Sequence, residues 1–180
     1  EFLFRHILDS ACLNLVFSSD FSKDRVLDIG SGAGIPGIPI KFLNPHLKVQ
    51  MIDATKKKTG FINKVATELK LKDTCAHNGR AEDFAHNPEF RRQFDFVTAR
   101  AVAQLPTLLE LMLPFVKKGG YAFAMKGETV DHEIQKSSKA LFELGGRISK
   151  IVDPSEIIEN YPGFIVVIEK VKDTPARFPR

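Results

Sequence analysis

Asp28, Gly30, Gly32, Gly34 and Gly37 crowd one short stretch of the chain, Val26 to Ile40, which reads VLDIGSGAGIPGIPI. Val26, Leu27 and Ile29 suit a buried strand, and the glycines after it permit backbone conformations and a close ligand approach that a Cβ forbids. Pro36 suits the first turn of a helix running through Ile38, Ile40 and Phe42, so the free N–H groups of the turn are expected to face a ligand. A plain tight turn gives the same local pattern, and the surroundings decide between the two. A second strand-like run, Lys48 to Asp53, ends in an acid about 20 residues past the glycines, where a ribose-binding carboxylate belongs in a nucleoside-binding βαβ unit. Asp53 has an alternative role as a cap for the helix that follows. Gly30, Gly32, Gly34 and Asp53 are therefore candidate cofactor contacts. Asp28 separates two cofactor classes. An acid beside the turn is unfavourable near a pyrophosphate, whereas S-adenosylmethionine has no phosphate and carries an ammonium and a sulfonium.

The elements that must position these residues alternate along the chain. An amphipathic helix is expected over residues 2–16, with Leu3, Ile7, Leu8, Ala11 and Leu15 on its apolar face. Strands are expected at Val26 to Ile29, Lys48 to Asp53, Thr74 to His77 (the weakest), Phe94 to Ala99, Tyr121 to Met125, Arg147 to Val152 and Phe164 to Glu169. Helices are expected at Lys56 to Leu69, Leu105 to Leu113 and Val130 to Leu144, with none between the last two strands. An alternating βα series closed by a strand pair implies an α/β fold: an open, mainly parallel sheet with an antiparallel edge, and ligands at the carboxyl ends of its strands. Those ends are Asp28 to Gly34, Asp53, the loop Gly79 to Phe84, Thr98 to Ala101, and Lys126-Gly127. Ala81, Glu82 and Asp83 either cap a short helix or lie against an adenine, offering a backbone edge and a side-chain acceptor. Arg100 and Lys126 are each either a paired structural cation or a site residue.

The 180 residues, 43% hydrophobic, suffice for one domain with a sizeable core. No run has the apolar length of a membrane helix and no signal peptide is visible. The expected location is the cytoplasm, and a monomer is the expected state. Cys12 and Cys75 form no metal or redox motif and read as free thiols. A net charge of +4 permits a polyanionic partner.

VLDIGSGAGIPGIPIKF, HILDS at His6 to Ser10, GRAEDF, FDFVTARAVAQL, KKGGYAFAMKG and the closing TPARFPR together resemble the bacterial 16S ribosomal RNA guanine-N7 methyltransferase family, also called glucose-inhibited division protein B. The resemblance implies a seven-stranded class I, Rossmann-like methyltransferase fold, S-adenosylmethionine as methyl donor, and one guanine of 16S rRNA as acceptor. It implies cofactor contacts at Gly30, Ile35, Ala81, Glu82 and Arg100. The chain departs from the family in having Asp53-Ala54 then Lys56-Lys57-Lys58, where the family often has Asp-Ser then Lys-Arg. The family's helices ahead of HILDS and its basic tail beyond Phe178-Pro179-Arg180 have no counterpart here, and a truncated chain is the expectation.

N7 methylation suits what the chain lacks. Guanine N7 has a free lone pair and no proton to lose, so proximity and in-line orientation suffice without a general base. No Asn/Asp-Pro-Pro-aromatic motif is present to grip an exocyclic amine, and neither cysteine lies in a Pro-Cys context. Arg100 is the expected orienting residue, bridging the cofactor pocket and the acceptor nucleotide. Lys56 to Lys58, Arg80, Arg91-Arg92, Lys117-Lys118, Lys126, Arg177 and Arg180 are candidate phosphate contacts, mostly solvated surface, with Arg80 and Lys126 the pair expected on the small-subunit rRNA. His6 and Asp9 either line the cleft or pack and cap a helix. Two other functions fit the same cofactor half: a small-molecule methyltransferase, and a non-catalytic nucleoside- or RNA-binding module.

Overall fold

The structure, a computed structural model, describes residues 2–15, 24–156, 158–159 and 161–180. Residue 16, the expected end of the first helix, and the Asp9 side chain lie outside what is described. The elements in chain order are α1 (Phe2–Cys12), β1 (Arg25–Ile29), α2 (Gly37–Leu43), β2 (Lys48–Asp53), α3 (Lys56–Glu68), β3 (Thr74–Asn78), α4 (Ala81–His86), β4 (Phe94–Arg100), α5 (Leu105–Met112), β5 (Val116–Lys126), α6 (Val130–Lys136), α7 (Ser138–Leu144), β6 (Gly146–Val152) and β7 (Phe164–Lys170).

The strands form one seven-stranded sheet in the order β3-β2-β1-β4-β5-β7-β6. Strands β1 to β5 run parallel. The antiparallel edge is made by β7, which inserts between β5 and β6 and pairs antiparallel with both. The chain winds outward from β1 to β3, then restarts at β4 on the other side of β1. That reversal opens a crevice above the carboxyl ends of β1 and β4, the usual ligand position in such sheets.

Side-chain alternation splits the core into two layers. Val26, Val49, Met51, Phe96, Phe123, Met125, Ile165 and Val167 pack on one face with Cys12, Ile40 and Ile62 of α1, α2 and α3. Leu27, Ile29, Ile52, Val97, Ala99, Ala122, Ala124, Val166 and Ile168 pack on the other with α5, Ala85, Val130 and Leu144. Strand β1 is covered on both sides, which is why its sequence is apolar rather than alternating. Strand β3 is an edge strand with half-buried residues, which accounts for its weak sequence signal.

Four expectations shift. Helix α1 ends at Cys12, and a 3-10 turn takes Leu13–Leu15. Helix α2 starts at Gly37, with Pro36 just ahead of it. The helix expected over Val130 to Leu144 is two, α6 and α7, divided at Ser137. Ser137 is fully buried and its hydroxyl donates to the Glu133 carbonyl at 2.7 Å, the kind of side-chain competition with the backbone that bends a helix. Strand β5 begins at Val116 rather than Tyr121, with a register irregularity opposite Phe94 and Phe96.

The closing TPARFPR segment is fastened to the body by Arg91. Its guanidinium donates to the carbonyls of Ala85, Thr174, Pro175 and Phe178, all at 2.9–3.0 Å. Lys170, fully buried beside this clamp, donates to the Leu144 carbonyl and to the Thr174 hydroxyl, and burial pushes its pKa down to about 7.

Candidate functional site

Three adjoining cavities open along the carboxyl ends of the strands. One of 310 Å³ is lined by His6, Gly30, Ser31, Gly32, Ala33, Ile35, Arg100 and Ala101. A second, of 130 Å³, shares Gly30 and continues past Asp53, Gly79, Arg80, Ala81 and Glu82. A third, of 460 Å³, shares His6, Arg100 and Ala101 with the first and continues past Met125, Lys126, Glu133 and Tyr161. Gly30, Gly32, Ile35, Asp53, Ala81, Glu82 and Arg100, distant in sequence, thus border one cleft, and Gly34 sits in the same turn.

Carboxylates and carbonyls hold that turn. Asp53 accepts the Gly32 N–H at 2.9 Å through one oxygen and the Thr55 N–H at 2.8 Å through the other, with the Lys58 ammonium 3.8 Å away. It therefore braces the glycine turn and the start of α3 together. Asp28 accepts the Gly37 N–H at 3.0 Å, and its other oxygen is buried with no hydrogen-bond partner. Burial pushes the Asp28 pKa up to about 7, opposed by the Gly37 N–H and the nearby Arg100. Gly30 and Ser31 donate to the Ile52 carbonyl, and Gly34 and Ile35 to the Ser31 carbonyl.

The expectation of free turn N–H groups facing a ligand is thus cut back: the N–H groups of Gly30, Ser31, Gly32, Gly34, Ile35 and Gly37 all have acceptors within the protein. The turn consequently lacks the fan of open amides that would cradle a pyrophosphate. Asp53 borders the narrower cavity while Asp28 is buried against Gly37, and a turn without open amides suits a phosphate-free nucleoside. Gly30 supplies the clearance: it sits at φ 66°, and a Cβ there would come within 2.7 Å of Cγ2 of Val102 in the β4–α5 loop.

The other side of the cleft is built from side chains. Arg100 ends β4, and its Nη1 lies 2.7 Å from Nδ1 of His6 on α1. Arginine only donates, so His6 accepts through Nδ1 in this contact. The Lys126 ammonium donates to the Ala103 carbonyl at 2.8 Å and pairs with Glu133 at 2.6 Å. The same Glu133 oxygen accepts the Leu105 N–H at 2.6 Å, capping α5 from α6. Burial acts to raise the Glu133 pKa, but the Lys126 and Leu105 bonds outweigh it and hold the carboxyl low.

Lys126 therefore has a different task from the phosphate contact expected of it. Its side chain is 9% exposed and both its partners are internal, so it anchors the loop that crosses Gly30. Arg80 is exposed at the start of α4, beside the 130 Å³ cavity and not beside Lys126. Arg92, Lys117 and Arg180 are paired with Asp173, Asp95 and Glu110, and Arg177 stacks on Phe178. Lys56, Lys57 and Lys58 stay exposed at the start of α3. Glu133, Val102 and Tyr161 are site residues that sequence reasoning missed. The available signal for Tyr161 was an aromatic-Pro-Gly step just before a strand. Because that strand is antiparallel, its beginning lies beside the carboxyl ends of the others.

A family described as GidB, rRNA small subunit methyltransferase G, matches residues 1–157. The chain is 41% identical to a ribosomal RNA small subunit methyltransferase G of Clostridium tetani over 98% of its own length and 73% of that protein. It is 43% identical to one from Desulfitobacterium hafniense over 100% of its length and 74% of that protein. Its fold is similar to that of a SAM-dependent methyltransferase from Aquifex aeolicus, with a TM-score of 0.67, 18% identity, and coverage of 93% and 92% of the two chains.

Proposed function

This chain belongs to the GidB family of small-subunit ribosomal RNA methyltransferases, and we propose that it methylates N7 of one guanine in that RNA. S-adenosylmethionine is its methyl donor. Bound in this cleft it would supply an electrophilic methyl on a sulfonium, and an acceptor such as N7, which attacks with a lone pair, would have no proton to lose.

The chain's own residues hold and orient. The turn residues Gly30 to Ala33 and Ile35 form the wall for the methionine part of the nucleoside. Asp53, Ala81 and Glu82 border the narrower cavity suited to ribose and adenine. The Lys126–Glu133 pair fixes residues 101–105, and so holds Val102 against Gly30. Arg100 lines both the cofactor cavity and the 460 Å³ cavity, which positions it to align the acceptor with the donor.

One observation carries the choice of N7. Glu133, the carboxylate bordering the larger cavity, is spent on Lys126 and Leu105 and held deprotonated by them, while His6 Nδ1 takes its bond from Arg100. Neither is poised to remove a proton, and N7 has none to remove. A monomer is proposed as the acting species, and an rRNA substrate supports work in the cytoplasm. No helix among the described residues is long and apolar enough to cross a membrane.

Labelled methyl transfer onto undermethylated small subunits, with the product mapped by cleavage specific for 7-methylguanosine, tests this reading. Label at an exocyclic amine or on carbon overturns the N7 assignment, and label only on small molecules overturns the RNA acceptor.

A further inference from the structure

We propose that Tyr161 is the face on which the acceptor guanine stacks, and that its ring favours the positively charged purine that methylation produces. The inference rests on the N7 reading above and deepens it by assigning the acceptor side of the same cleft.

Tyr161 borders the 460 Å³ cavity together with His6, Arg100 and Lys126. Its backbone and its ring are each held. It packs partly buried against the core layer containing Phe123, Met125 and Ile165. Its N–H donates to the Ile158 carbonyl at 3.1 Å, and the Ile158 N–H donates in turn to the Pro154 carbonyl at 2.8 Å. Pro162 restricts the Tyr161 backbone to extended conformations. Gly163 completes the seat, because a Cβ there would lie 3.2 Å from Cε1 of the Tyr161 ring and 3.0 Å from the Lys126 carbonyl. The ring edge therefore rests on bare backbone at the carboxyl end of β5, where Lys126 pairs with Phe164.

A base that undergoes chemistry within structured RNA must leave its stack, and aromatic pockets are what receive such bases. Here the charge sharpens the argument. Methylation at N7 leaves a positive charge on the purine, and Arg100 is already a fixed cation in the same cavity. An aromatic face attracts a cation through its quadrupole, more strongly as charge builds on the base. The contact is thus stronger in the transition state than in the ground state, so its loss should lower kcat more than it raises KM.

The test is methylation of undermethylated small subunits by wild type, Tyr161→Phe and Tyr161→Leu, with S-adenosylhomocysteine affinity measured for each. Phenylalanine keeps the π face and should stay within about twofold of wild type, while leucine keeps apolar packing and should lower the single-turnover rate roughly tenfold with unchanged S-adenosylhomocysteine affinity. Wild type should also be inhibited better by 7-methylguanosine monophosphate than by guanosine monophosphate, a preference that Tyr161→Leu should abolish. Equal rates and equal inhibitor preference in the leucine variant overturn the proposal. So does a leucine variant whose S-adenosylhomocysteine affinity falls in step with its rate, since the ring would then only support the fold. A wild type that places no methyl on N7 overturns the functional reading instead, which keeps the two failures distinct.

Discussion

On the β1–β2 side of the cleft the site is made of backbone, and on the β4–β5 side it is made of side chains. The first side is a glycine turn whose N–H groups are tied down by Asp53, Asp28 and two carbonyls, all from residues 28–53. The second assembles His6, Arg100, Lys126, Glu133 and Tyr161, spread over most of the chain. The difference sets how each side fails. Backbone shape has no conservative substitute, since any Cβ alters it. A side-chain cluster degrades in steps, one bond at a time.

Gly30→Val tests the first half of that contrast most severely. The positive φ and the 2.7 Å approach of a Cβ to Val102 leave no room, so S-adenosylhomocysteine affinity should fall more than about 100-fold by calorimetry, with a stability cost of about 1–3 kcal/mol. On the other half, Arg100→Ala should lower single-turnover methylation about 100-fold while weakening cofactor binding only about tenfold, as expected of an orienting residue shared by both cavities. Equal losses in the two measurements would assign Arg100 to the cofactor alone. Glu133→Gln keeps the shape but removes the charge that holds Lys126. A loss of about 1–3 kcal/mol in denaturant unfolding is expected, with a several-fold fall in kcat/KM as the β4–α5 loop loosens.

A pH experiment separates the halves further. The Asp28 pKa stands at about 7 in the folded protein against an ordinary 3.8, so between those values the folded state holds a proton that the unfolded state has released. The stability gained from neutral Asp28 is complete below 3.8 and lost as pH rises through 7. Relative to Asp28→Asn, the wild type should therefore lose up to about 4 kcal/mol in unfolding experiments run from acid to mildly alkaline pH. A parallel profile for the two proteins would remove Asp28 as the cause. The smallest effect belongs to Arg80→Ala. As an exposed cation at the cleft rim, it should reduce the salt dependence of RNA binding by about one phosphate contact and leave the rate under saturation unchanged.

Much of the fold was legible because strand and helix signals are local. Val26 to Ile29, Lys48 to Asp53 and Lys56 to Leu69 each carry their own periodicity, and the alternation of elements is enough to imply a parallel sheet. The division of α6 from α7 was not legible, because a buried serine turned onto its own helix looks in sequence like any other serine. Lys126 and Arg80 looked alike as cations near strand ends. Only their partners distinguish them: one ammonium is enclosed by Glu133 and Ala103, while the Arg80 side chain stands exposed.

The amino-acid sequence by itself determined the glycine turn, the strands that flank it, the family and the cofactor class, all of which depend on residues close in the chain or on motifs read in order. The tertiary structure decided that Asp28 and Asp53 each commit one oxygen to the turn and the helix after it, that Glu133 captures Lys126, and that Tyr161 meets Arg100 across a cavity. The physical reason lies in the order of the sheet. A backbone conformation is governed by its near neighbours, but the task of a side chain depends on which partner the topology brings within bonding distance. The insertion of antiparallel β7 beside β5 brings Tyr161 to the cleft, and no local pattern encodes that placement.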